Sequence, residues 1–205
     1  MTSGATVLTA QYWGKKDTRT IEKVLGMGLS AGLIVAVVFA GAALGMPETL
    51  MRIYTSDPEV IAEGVKYLRI VGFSYVFMAV TQVYLNIMRS IERVMVATFI
   101  YLISLLMNIV VNAVLIFGLF GFPVMGVRGA AVATVLSRYV EACIVLSWTH
   151  KHTEKNIFAQ GLYSTLKVPA NLTKKILIKG TPLLLNETLW AAGVARLTQC
   201  YSVRG

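Results

Sequence analysis

The chain has little charge for its length. Asp, Glu, Lys and Arg make up 14% of its 205 residues, against about 25% in an ordinary soluble domain. Cysteine and histidine number two each. These shortages exclude several classes of function. Cys143 and Cys200 lie in or beside apolar segments, and their spacing fits neither a disulfide framework nor a metal site. Both are expected to be small buried residues without a redox role. His150 and His152 stand among lysines at the end of an apolar segment, which makes a poor metal site. No hydrolase, kinase or metalloprotease motif is present, so an enzymatic reading has no residues to stand on. Residues 1–10 lack a basic stretch and a clear cleavage site, so no cleavable signal peptide is expected.

What the chain does have is apolar length, with 56% hydrophobic residues. Stretches 24–47 and 94–117 carry no charged residue at all. About 20 apolar residues cross a bilayer core roughly 30 Å thick. Five segments qualify as spans: 24–44, 65–88, 94–117, 129–148 and 176–199. A shorter apolar piece, 4–13, reads as the end of a further helix. Strands crossing a membrane would be about 9–11 residues long and alternating. These segments are longer and do not alternate, so helices are expected. The fold class is therefore all-α, a polytopic transmembrane helix bundle.

A net charge of +9 could suggest nucleic acid, but the basic residues sit between apolar segments, where topogenic charges belong. Twelve fall on one side: Lys15, Lys16, Arg19, Lys23, Arg89, Arg93, Lys151, Lys155, Lys167, Lys174, Lys175 and Lys179. The other side holds Arg52, Lys66, Arg69 and Arg128. Loops 14–23, 89–93 and 150–175 are thus expected in the cytoplasm. On that side the sequon at Asn171 would not be used.

Polar residues inside a span are costly and need a partner or a function. Asn108 and Asn112 are four apart in 94–117 and share one helix face. They could coordinate a cation, bind a substrate or hydrogen-bond a neighbouring helix. Gln82 and Asn86 have the same spacing in the second span. Asn186 and Glu187 follow Pro182 in the fifth. Glu187 is the strongest candidate for proton or cation work, because a carboxylate in low dielectric holds its proton more tightly. Arg196 lies on another face, so a direct pair with Glu187 is not expected. Arg138 and Glu141, three apart, can pair along their helix. Gly28, Gly32, Ala36 and Ala40 form a small-residue ladder, read as a tight helix contact or a substrate groove.

These landmarks bear a family likeness. Residues 4–14, with Ala10-Gln11 and Gly14, resemble the end of the second helix of MATE (multidrug and toxic compound extrusion) transporters. Leu85–Arg93, with Arg89-Ser-Ile-Glu-Arg, resembles their loop between helices 4 and 5. Asn108, Asn112, Gly118, Gly121, Pro123, Gly126, the Gly129–Thr134 run and Arg138 resemble the helix 5 to helix 6 region. Pro182, Asn186-Glu187, Trp190 and Gly193 resemble the start of helix 7. The resemblance implies that the five spans are helices 3 to 7 of a twelve-helix, two-lobe transporter, with helix 1, half of helix 2 and helices 8–12 outside this chain. Residues 1–149 would then complete the N-lobe, 150–175 link the lobes, and 176–205 open the C-lobe.

It also implies export of cationic or amphipathic drugs across a bacterial inner membrane, driven by Na⁺ or H⁺ and without a resident cofactor. The partners would be the bilayer, small organic cations and the remaining parts of the same transporter, and not nucleic acid. Asn108 and Asn112 would face an acid on the absent helix 1. Some members carry Asp where Asn112 stands, and Asn cannot titrate. Glu187 resembles the helix 7 glutamate of sodium-coupled members, and would be the place for a transient Na⁺. Gln82 and Asn186 complete the candidate set. A lipid-linked oligosaccharide flippase of the same superfamily and a non-transporting membrane remnant are the alternatives.

Overall fold

A computed structural model of the chain describes residues 2–152 and 170–204. Most of the expected loop 150–175 lies outside the described residues. Among the described residues eight α-helices follow one another: α1 Thr2–Gly14, α2 Thr18–Gly45, α3 Pro47–Arg52, α4 Pro58–Val71, α5 Ser74–Ser90, α6 Val94–Phe117, α7 Gly126–Lys151 and α8 Ala170–Arg204. No strand occurs among the described residues.

Helix ends follow local chemistry. Asp17 caps α2, its carboxylate accepting from the Thr20 amide at 3.1 Å. Asp57 caps α4 in the same way through Glu59 at 2.9 Å, with Pro58 filling the first turn. Gly118 ends α6 with φ +69°, a conformation that favours glycine. The chain then returns so that the Met125 amide reaches Leu115 O at 3.0 Å. This closes α6 tightly onto α7.

Among the described residues three helices, α2, α6 and α7, are long and apolar enough to cross a membrane. The second expected span, 65–88, is not one straight helix. It is α4 and α5, bent by 57° at the break between them. The cause lies at Gly72 and Ser74. Glycine weakens the helix, and the Ser74 hydroxyl donates to Val71 O at 2.7 Å, competing with the helical ladder. Taken as one bent span, this pair makes four. The fifth expected span lies within α8, which is helical and long but is not among the helices apolar enough to pass that measure.

The bundle is inverted relative to a soluble one. Only 22% of the apolar stretch of α2 and 17% of that of α6 is buried. Ile34, Val38 and Phe39 on α2, and Met95, Phe99 and Val110 on α6, are exposed. A contiguous apolar exterior of this kind suits lipid and not water. The buried core gathers where α1, α2, α5, α6 and α7 meet, around Leu25, Tyr84, Leu85, Met88 and Val145. The small-residue ladder of α2 packs on α5: a Cβ at Gly28 would sit 3.3 Å from Val83 Cγ1. Gly28, Gly32 and Ala36 of the same ladder also line a cavity of about 670 Å³ between the two helices.

Both cysteines are exposed, not buried. Cys143 is two residues beyond the buried Glu141 on α7, which turns it to the opposite side of that helix. Cys200 lies on α8, most of whose described side chains are exposed. An apolar segment in a bundle of this kind has an outward face as apolar as its inner one.

Candidate functional site

The polar groups of α6 recur at Ser104, Asn108 and Asn112, every fourth residue, and form one seam. Asn112 Nδ2 donates to Asn108 Oδ1 at 2.9 Å, so the two amides pair along the helix. This leaves Asn112 Oδ1 buried and without a hydrogen-bond partner among the described residues. A buried, unpaired carbonyl oxygen is an uncommon and costly feature.

Helix α7 closes the other side of the seam. Gly129 makes this approach possible: a Cβ there would stand 2.7 Å from Leu115 O on α6. Ser104, Asn108, Thr134, Ser137 and Arg138, with Tyr101 and Leu105, line a cavity of about 240 Å³ between the helices. At one wall Arg138 Nη1 donates to Glu141 Oε2 at 2.7 Å, bearing out the pair expected from their spacing. The Ser104 hydroxyl reaches the same carboxylate oxygen from α6 at 3.2 Å. Glu141 is fully buried, and its other oxygen, Oε1, has no partner among the described residues.

The remaining sequence candidates lie elsewhere. Gln82 lines the α2–α5 cavity with Gly28, Gly32 and Tyr75. Asn86 accepts from Arg89 Nη1 at 3.3 Å near the end of α5, which suits the structural reading of that amide. Asn186 and Glu187 are exposed on α8. Arg196 turns to Gln199 at 3.1 Å and not to Glu187, in line with the expectation that those two do not pair. Among the described residues no cluster of His, Cys, Asp or Glu could hold a metal.

Spacing in the sequence points to Glu141 only as a structural partner of Arg138, and to Glu187 as the intramembrane carboxylate. The available signal was Ser104: a small hydroxyl four residues before Asn108 extends the seam toward the position Glu141 occupies.

Fold and seam together define a multi-pass helical membrane protein with polar groups between its spans. The family model MatE matches residues 1–114, more than half of the chain, and the chain belongs to the MATE family. It is 27% identical over 187 residues to the probable multidrug resistance protein YoeA of Bacillus subtilis, covering 91% of this chain and 40% of that protein. It is 26% identical over 205 residues to a probable multidrug resistance protein NorM of Thermotoga maritima, covering 98% of this chain and 43% of that protein. The chain thus spans about two-fifths of the length of these relatives. Among solved structures, the outward-facing conformation of a multidrug resistance MATE family transporter superposes with a TM-score of 0.74 at 22% identity, covering 86% of this chain and 38% of that one. A crystal structure of MATE in complex with MaD3S gives 0.76 at 22% identity, covering 88% and 39%. The two relatives carry the names of multidrug resistance proteins and the first of the structures that of a transporter; none carries the name of an enzyme.

Proposed function

We propose that this chain is the helix 2 to helix 7 portion of a multidrug efflux antiporter in a bacterial inner membrane, exporting cationic or amphipathic organic compounds against an inward flow of Na⁺ or H⁺. The observation that carries the reading is the seam on α6, in a chain of the MATE family. Asn112 offers a buried carbonyl oxygen with no partner among the described residues, and such an oxygen is what a cation or a substrate N–H group seeks. Asn108 positions it by accepting from the Asn112 amide. Both lie in a helix that has no charge of its own. Glu187, on the first helix of the second lobe, supplies a carboxylate for the coupling ion. Gln82 and Asn186 are further polar groups on the substrate route.

Alternating access is ordinarily movement of one repeat against another about a midplane site. The working unit would be a longer polypeptide of two six-helix lobes, with loops 14–23, 89–93 and 150–175 in the cytoplasm. Two experiments test this reading. Extending the reading frame in both directions should reveal a second six-helix repeat, and native stops bounding a short gene would oppose it. In the full-length gene product, Glu187→Gln should lower drug efflux sharply, and unchanged efflux would remove Glu187 from the mechanism.

A further inference from the structure

The cavity between α6 and α7 is unequally equipped. The hydroxyl protons of its serines and threonine are committed. Thr134 donates to Ala130 O at 2.9 Å, Ser137 to Ala133 O at 2.7 Å and Ser104 to Glu141. Its nitrogen donors are not committed. Arg138 uses one N–H of its guanidinium on Glu141 and makes no other hydrogen bond among the described residues. The Asn108 amide nitrogen makes none there either, since Asn108 takes part only as the acceptor from Asn112.

The ion pair itself is incomplete. Guanidinium and carboxylate commonly join through two parallel bonds. Here one joins them, and Glu141 Oε1 is left buried and unpaired. The guanidinium is therefore anchored at one corner. Its side chain keeps 27% of its surface exposed while that of Glu141 keeps none, and Arg138 is among the residues that line the cavity.

We propose that Arg138 is a specificity-determining residue that receives the carboxylate of a zwitterionic amphipathic substrate, with Asn108 as the second donor and Glu141 as the residue that positions the guanidinium. This rests on the transport reading above and names a substrate class for its N-lobe cavity. A carboxylate supplies the planar pair of acceptors that a guanidinium fork fits. A cation approaching the same wall meets the guanidinium and is repelled. The cavity is large enough for a carboxyphenyl group, not for a whole dye, so the rest of such a substrate would extend out of it.

Rhodamine B and its ethyl ester test this, because they share one cationic ring system and differ in a free carboxylate. Their binding to the purified full-length gene product would be followed by fluorescence anisotropy. Arg138→Gln should weaken the free acid about tenfold, the scale of a lost charge-assisted pair, and leave the ester within about twofold. The double variant Arg138→Gln with Glu141→Gln leaves no charge uncompensated in the bundle and should reproduce the same selective loss, which separates it from misfolding. Arg138→Lys should retain part of the preference. Equal weakening of both dyes, or no change in either, would overturn the role of Arg138. If the unaltered protein binds neither dye, the transport reading beneath the proposal fails with it.

Discussion

Arg138 donates through Nη1 to Glu141 Oε2 at 2.7 Å, one turn along α7, and the carboxylate is wholly buried while the guanidinium is not. The two ends of this pair should respond unequally to truncation. Arg138→Ala leaves a buried carboxylate without its counter-charge and should cost about 3 kcal/mol. Glu141→Gln leaves a guanidinium that can still reach solvent or the cavity, and should cost about 1 kcal/mol. Thermal unfolding of the detergent-solubilised protein compares them, and equal losses would contradict the asymmetry.

Gly129 is held by contact with backbone, not with a movable side chain. An added methyl would stand 2.7 Å from Leu115 O and 2.9 Å from its carbonyl carbon. Gly129→Ala should separate α6 from α7 and destabilise by about 1–3 kcal/mol. At Gly28 the nearest neighbour is the end of the Val83 side chain at 3.3 Å, so Gly28→Ala should cost less. The order of the two melting temperatures checks this directly.

Much of this architecture was legible in the sequence, for reasons specific to particular residues. The charge-free run of α6 fixed its two ends, because Arg93 and Gly118 bound it. The bend between α4 and α5 was not legible. Gly72 and Ser74 look unexceptional in an apolar run until the serine hydroxyl is seen taking the Val71 carbonyl. The pairing of Arg138 with Glu141 follows from spacing alone, but the burial of Glu141 does not. It depends on Ser104, 37 positions earlier, presenting a small polar surface from the facing helix. The cysteines show the converse: an apolar setting in sequence does not say which face is inward.

Asn112→Asp bears on the coupling step. The substitution removes the amide that donates to Asn108 and introduces a titratable group at a position that has none. Efflux by the full-length product should acquire a new dependence on pH, measured as dye transport across a series of external pH values. An unchanged profile would place Asn112 outside the coupling path.

Orientation can be checked with cysteine chemistry. In a background carrying Cys143→Ser and Cys200→Ser, a membrane-impermeant maleimide should label Ser56→Cys in intact cells. Lys15→Cys should be labelled only in inverted vesicles. Both positions are exposed, so failure of labelling would reflect the side of the membrane and not burial. The reverse pattern would overturn the assignment made from the distribution of basic residues.

Transport itself is the most direct test. The full-length gene product, reconstituted into liposomes loaded with a fluorescent organic cation, would be given an opposing gradient of Na⁺ or of H⁺, with gradient-free vesicles as the control. The expected result is dye movement against its own concentration gradient under at least one of the two ions, abolished when that gradient is collapsed. Dye movement that never exceeds the gradient-free control under either ion would contradict a cation-coupled multidrug antiporter.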